Sequence, residues 1–349
     1  SNFHYFNLWI FICFFLQSYI SFLIINHLTK NLTFSIIASL FFLLSPLLFN
    51  KIVFHLSLSA HWLILLGFYI EIKNELTKKT FYWTALISLS ALVHFYFTII
   101  LIIFNFIVQL FRFFENKKSF LKIFKETFIT YLALIITMYV LGFFSIRPED
   151  GLGGGYGYYN LNLNSFFNPK SFNHYESFNW SYFLPEGKLK NGEFEGFSYL
   201  GLGGLCFLLL LIINFINLKY KIIYSNKKIL VIFLTFFILA LSHNVNFGEQ
   251  SLISIELNKY FHLLLSSIRA SGRLIWPVYY LILFSGILII YKKFKKNSIK
   301  LIVLISILLI QFIDIAPGLK NYYLGNQYKS NLNKKNYFDD IFWKKLSDK

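Results

Sequence analysis

The sequence predicts an all-α protein, a polytopic bundle of about ten transmembrane helices with extracytoplasmic loops. Three observations carry that expectation. Of 349 residues, 56% are hydrophobic and only 14% are charged, and the mean hydropathy is +0.58. A soluble domain carries about a quarter charged residues, and it is low hydrophobicity that keeps chains disordered, so both classes are excluded. Apolar runs of helical length recur from one end to the other, and the basic residues gather in alternate loops between them.

Taken in order, the runs fall at 8–27, 32–49, 57–72, 80–93, 95–111, 122–145, 199–218, 228–243, 274–291 and 298–315. Several are a little short of the roughly 17–25 residues a bilayer requires. The stretch 80–111 is long for one helix and short for two. His94 and Tyr96 mark its expected break, which makes it a hairpin. The loops 28–31, 71–80, 112–126, 219–228 and 292–300 hold 18 Lys+Arg in 48 residues, against 8 in 90 for 50–56, 146–198 and 244–273. By the positive-inside rule the first set is cytoplasmic. The parities agree if 80–111 crosses twice, which puts Ser1 outside. Residues 1–315 then form the transmembrane domain, with 146–198 as a long extracytoplasmic loop. Residues 316–349 begin an extracytoplasmic segment that both its apolar spacing and its abrupt stop mark as truncated. The expected location is a bacterial inner (cytoplasmic) membrane.

The net charge of +17 would suggest nucleic acid in a soluble chain, but here the basic residues sit beside spans and face lipid headgroups instead. Cys13 and Cys206 both lie in apolar runs, too few for a disulfide framework or a thiolate zinc site. The sequence specifies no cofactor and leaves a divalent metal open.

With this orientation seven of the eight histidines map to the outer face, His27 being the exception. Ionisable groups at membrane depth are expensive and point to function by default. His55, Ser59, His61 and Trp62 stand at the outer entrance of the third run. The spacing of His55 and His61 does not put both imidazoles on one helical face, unlike the i, i+4 pair of a zinc helix. They suit hydrogen bonding to a sugar or phosphate, with interfacial helix capping as the alternative. The glycine-rich 151–157 lacks the Lys-Ser/Thr of a phosphate loop and reads as a flexible loop. Glu195 precedes a span whose first turn is Gly-rich, suited to close packing or backbone approach to a ligand; macrodipole capping is the plainer account. Arg269 and Arg273, four apart at the outer end of the ninth run, are expected to share a helical face and converge on one anion as a phosphate clamp. Asp314 closes the last run as an interfacial carboxylate.

The order Gln17, His55–Trp62, His94-x-Tyr96, Asn160-Leu-Asn-Leu-Asn-Ser, Glu195–Gly203 and Arg269–Pro277 resembles a family of bacterial multi-pass proteins that is similar to the GT-C glycosyltransferases. The resemblance implies a GT-C-like bundle moving a sugar from a polyprenyl-phosphate donor at the outer face. Membrane lipid and the lipid-linked donor would be its partners. It assigns the phosphate to Arg269 and Arg273, and the sugar or acceptor to His55, His61, His94 and Glu195. The acidic general base of such enzymes follows their first span and is expected before Ser1, leaving the catalytic residue unknown and Glu195 a weak candidate. A transporter or flippase of a lipid-linked or anionic substrate, and a non-catalytic assembly subunit, stand as alternatives.

Overall fold

The computed structural model describes residues 5–73, 78–115, 119–145, 156–173, 176–217, 227–258, 260, 261, 265 and 268–332. All ten apolar runs are helical: α1 Tyr5–Thr29, α2 Leu32–Leu43 with α3 Pro46–Phe54, α4 Trp62–Ile72 preceded by a 3-10 turn at Leu56–Ser59, α5 Lys79–Val93, α6 Phe95–Phe114, α7 Phe120–Val140, α8 Gly201–Asn217, α9 Lys227–Leu241, α10 Trp276–Lys293 and α11 Asn297–Leu332. Among the described residues, five helical segments are long and apolar enough to cross a membrane unaided: Tyr5–Thr29, Phe95–Phe114, Phe120–Val140, Ser271–Lys293 and Asn297–Asn321. The bent pair α2–α3 makes a sixth. Length and composition alone thus show five or six spans among the described residues, while α4, α5, α8 and α9 are apolar but shorter.

The run 32–49 is not straight, because Ser45 precedes Pro46. A residue before proline is pushed out of the helical region, and Ser45 has φ −78° and ψ 117°. Proline then opens α3, where its missing N–H costs no helical hydrogen bond, and the two halves meet at 46°. The break expected at His94 is present: its extended backbone ends α5, and its Nδ1 accepts from the Tyr96 N–H at 3.2 Å to cap α6.

Two polar clusters mark opposite ends of the bundle. At one, Glu71 of α4 accepts from Arg112 of α6 (2.8 Å), Lys228 of α9 (3.2 Å) and the Trp83 indole of α5 (2.9 Å). One carboxylate thus ties four helix ends together, and α5 and α6 run antiparallel away from it. At the opposite end lie Lys51, His55, His94, Glu195 and Arg273. α10 runs between the two ends and is buried along most of its length, from Trp276 to Ile290. Its Tyr291 hydroxyl donates to the Thr29 carbonyl at the end of α1 (2.5 Å). By contrast α7 turns Leu121, Phe124, Phe128, Ile136, Tyr139 and Val140 outward. An apolar face that wide on a soluble monomer would drive aggregation, whereas in a bilayer it is the lipid-facing side.

A polar cap covers the Glu195 end. It holds two antiparallel hairpins, β1 (Lys170–Asn173) with β2 (Glu176–Asn179), and β3 (Asn244–Phe247) with β4 (Gln250–Ser254). Asp314 and Gln311 of α11 pin the cap to the bundle. Asp314 is fully buried and accepts from the Ser181 hydroxyl, the Tyr199 hydroxyl (2.6 Å) and the Leu202 N–H (2.9 Å). Gln311 Oε1 accepts from the Gly203 and Gly204 N–H groups. These orphan donors of the first turn of α8 are thereby capped from another helix. Gly201, at φ +73°, leaves no room for a Cβ beside Gln311, so the Gly-rich turn serves close backbone approach. The Asp314 carboxylate is a buried anchor, where an interfacial position was expected. Of the glycine-rich 151–157 loop only Tyr156 and Gly157 are described. The amphipathic tail at 337–349 lies outside the described residues.

Candidate functional site

Glu195 sits in a 3-10 turn, Glu193–Gly196, entered through Gly192 in the left-handed region at φ +94°. The alternating asparagines of 160–164 build the support for that turn. Asn162 Nδ2 and Asn246 Nδ2 donate to the two oxygens of buried Glu193 at 2.6 and 2.7 Å, and the Lys190 N–H adds a third bond at 2.8 Å. Asn162 Oδ1 in turn accepts from the Gly248 N–H, which locks β3–β4 to the same knot. Every bond that fixes Glu193 also fixes Glu195 two residues on.

Arg273 reaches Glu195 from a second 3-10 turn, Ser271–Ile275, at the head of α10. The two turns touch through glycine: a Cβ on Gly272 would lie 2.7 Å from Gly196 Cα, and one on Gly196 would lie 2.6 Å from the Asn160 carbonyl oxygen. Only a residue without a side chain fits at either place. The contact allows a bidentate ion pair, Arg273 Nη2–Glu195 Oε1 at 2.6 Å and Nε–Oε2 at 3.0 Å. Lys51, from the end of α3, adds Nζ–Oε2 at 3.1 Å. The Arg273 guanidinium also lies over the Tyr96 ring at 4.6 Å. Lys51, Arg273 and Glu195 are all buried. Two cations on one carboxylate leave this clasp a net positive charge.

The electrostatics follow. Burial alone would raise the Glu195 pKa, but Lys51 and Arg273 outweigh it and hold the carboxyl far below its usual range. His55 stands beside the clasp, Nε2 3.9 Å from Glu195 Oε1, with half its side chain exposed. Partial burial lowers its pKa below 6.5, and the charges of Arg273 and Lys51 add to that against the opposing pull of Glu195. Burial, then Arg273 and His55, push His94 down to about 4. Both imidazoles are therefore neutral at neutral pH.

Above the clasp opens a cavity of about 570 Å³, lined by Asn50, Lys51 and His55 on the bundle side, and by Tyr158, Lys170, Ser171, Phe172, Leu189, Lys190, Asn191, Gly192, Phe194 and Glu195 on the cap side. That volume is in the range of small-molecule sites. Lys190 Nζ bonds the Asn246 side-chain oxygen at 2.9 Å, and Lys170 Nζ is 4.0 Å from Glu186. Aromatic walls, side-chain amides and surplus cations suit a ligand with a polyol ring and an anionic group.

The expected site residues divide. Glu195, Arg273, His55 and, at its edge, His94 come together. Arg269 does not join Arg273 on a helical face: residues 268–270 lie outside any helix, and Arg273 is in a 3-10 turn. Arg269 instead donates to the Tyr159 hydroxyl (2.8 Å) and stacks on that ring at 4.8 Å. The two-arginine phosphate clamp is thus corrected, since the Arg273 fork is filled by Glu195. Glu195, the weak candidate for the catalytic base, accepts from both Lys51 and Arg273, and a carboxylate so engaged is a poor proton acceptor. His61 lies in the bundle interior, its Nδ1 2.8 Å from the Tyr280 hydroxyl and its ring 4.3 Å from the Trp276 ring. It lines no part of the cavity. Lys51, Lys170 and Lys190 were missed by sequence reasoning. For Lys51 a signal existed, a lysine at the outer end of an apolar run against the charge trend. Among the described residues no group of three His, Cys, Asp or Glu is placed to hold a metal ion.

An apolar helical bundle under a polar cap, with a charged clasp at the floor of a ligand-sized cavity, defines a multi-pass α-helical membrane protein with a candidate site at one end. The chain belongs to the DUF6311 family, a domain of unknown function, whose family model matches residues 1–316. No curated protein and no solved structure matches it.

Proposed function

We propose that the protein binds a lipid-linked, phosphate-bearing sugar at the outer face of a bacterial cytoplasmic membrane and transfers the sugar to an acceptor hydroxyl. In this reading the bundle is GT-C-like with ten crossings, and the basic Glu71 end is cytoplasmic by the positive-inside rule. The observation that carries it is the cavity itself. Phe172, Phe194 and Tyr158 offer faces for a sugar ring, Asn50 and Asn191 offer hydroxyl partners, and Lys170 and Lys190 offer charge to a phosphate. The net charge of the clasp adds to the attraction for an anion. The phosphate therefore goes to lysines of the cap, and Arg273 orders the floor beneath it.

The experiment is transfer of radiolabelled hexose from a short-chain polyprenyl-phosphate hexose in membranes that express the protein, compared with membranes that do not. Label in lipid-insoluble product, lost in Lys190→Ala, supports the reading. Movement of intact donor across the bilayer without sugar transfer would favour transport, and neither result would leave the cavity without this role.

A further inference from the structure

We propose that His55 is the catalytic base of the cavity, accepting the proton of the acceptor hydroxyl as that oxygen attacks the sugar. The inference rests on the transfer reading and deepens it. Among the described residues that line the cavity, the side chains able to gain or lose a proton are Lys51, His55, Tyr158, Lys170, Lys190 and Glu195. A base must be uncharged or anionic, uncommitted and in reach of the ligand. All three lysines are committed: Lys51 to Glu195 at 3.1 Å, Lys170 to Glu186 at 4.0 Å and Lys190 to the Asn246 side-chain oxygen at 2.9 Å. Tyr158 is a phenol, whose hydroxyl oxygen is a far weaker base than an imidazole nitrogen. Glu195 holds its charge against Arg273 and Lys51 through three hydrogen bonds. His94, close by at the start of α6, already accepts from the Tyr96 N–H. His55 is left, half-exposed on the bundle wall.

Its surroundings fit the task. Glu195 faces the imidazole Nε2 across 3.9 Å, beyond hydrogen-bond length but within the slack that closes when a substrate binds. A carboxylate on that side favours the tautomer with its proton on Nε2, which frees Nδ1 to accept. Arg273, Lys51 and His94 face the same ring. They keep it neutral until the proton arrives, and Glu195 offsets the charge afterwards.

The transfer balances as follows. The acceptor oxygen forms a bond to the anomeric carbon, and the bond from that carbon to the phosphate oxygen breaks. The electron pair leaves on the lipid phosphate, which needs no acid. The hydroxyl proton goes to His55 and then to solvent.

The test uses the same membranes and labelled short-chain donor, with His55→Gln. This change keeps hydrogen bonding and bulk but removes the base. Transfer should fall by about 10²–10⁴-fold, while saturable donor binding stays within about threefold. The wild-type rate should also fall in acid, on a limb lying below the ordinary histidine range because burial lowers the His55 pKa; the protonated imidazole cannot accept, and the residual rate of His55→Gln should lose that limb. Wild-type transfer that survives His55→Gln with an unchanged pH profile would overturn the role of His55 alone. Absence of transfer in wild-type membranes would overturn the transfer reading and this inference with it.

Discussion

Replacing Arg273 by lysine separates a structural clasp from a ligand clamp. In the structure the guanidinium fills both Glu195 oxygens, at 2.6 and 3.0 Å. A hydrogen bond to a charged group contributes about 1.5–3 kcal/mol. Lysine keeps the charge but as a single point, so one bond is lost and Arg273→Lys should cost about 1.5–3 kcal/mol of unfolding free energy. Glu195→Gln should cost more, about 3–5 kcal/mol, because it strands two buried cations. Lys51→Met added to Glu195→Gln should recover part of that loss. The measurement is urea unfolding of the purified protein in detergent, followed by tryptophan fluorescence with no ligand present. The same experiment has a pH arm. The Glu195 pKa is lowered in the folded protein, so its stabilisation is fully present above the unfolded value of about 4.3 and declines as pH falls from there toward the folded value. Stability should therefore drop in acid in the wild type and less steeply in Glu195→Gln. Wild-type stability in Arg273→Lys would refute the clasp and return the arginine to a free, ligand-facing role.

Three other expectations follow from the same geometry. Gly272→Ala places a methyl 2.7 Å from the Gly196 backbone; overpacking of this kind costs about 1–3 kcal/mol, and ligand binding should weaken as the two 3-10 turns separate. Asp314→Asn puts an NH₂ group against donors from Ser181, Tyr199 and Leu202. It should lower unfolding free energy by about 1–3 kcal/mol, and wild-type stability in that variant would remove Asp314 as the anchor of the cap. A cysteine at Glu186 should react with a membrane-impermeant thiol reagent in intact spheroplasts while one at Lys122 should not; the reverse pattern would invert the orientation.

The helices were legible because hydropathy acts locally. Each apolar run is helical, the run 32–49 in two pieces, and the His94 break was visible as a polar residue in a long run. How many of the helices cross a bilayer depends on where Pro46 bends one of them and on runs too short to cross alone. The site was half legible. Glu195, His55 and Arg273 stood out as charges or imidazoles in costly places. What sequence could not supply was the pairing. Arg269 and Arg273 looked coupled because i, i+4 residues share a helical face, but that rule needs a helix, and Arg269 lies outside one. The partner of Arg273 is 78 residues away and is reached only because Gly196 and Gly272 allow two turns to touch. The same holds for the asparagine stretch, whose meaning depends on Glu193 and Asn246 folding over it.

The most direct test is equilibrium binding of a fluorescent short-chain polyprenyl-phosphate hexose to the full chain in nanodiscs. The result expected is saturable binding, weakened at least about tenfold by Lys190→Ala or Lys170→Ala, in line with the loss of one charge-assisted contact, and unaffected by Arg269→Ala. Binding that is absent, or that depends on Arg269 and ignores both lysines, would contradict the assignment of this cavity.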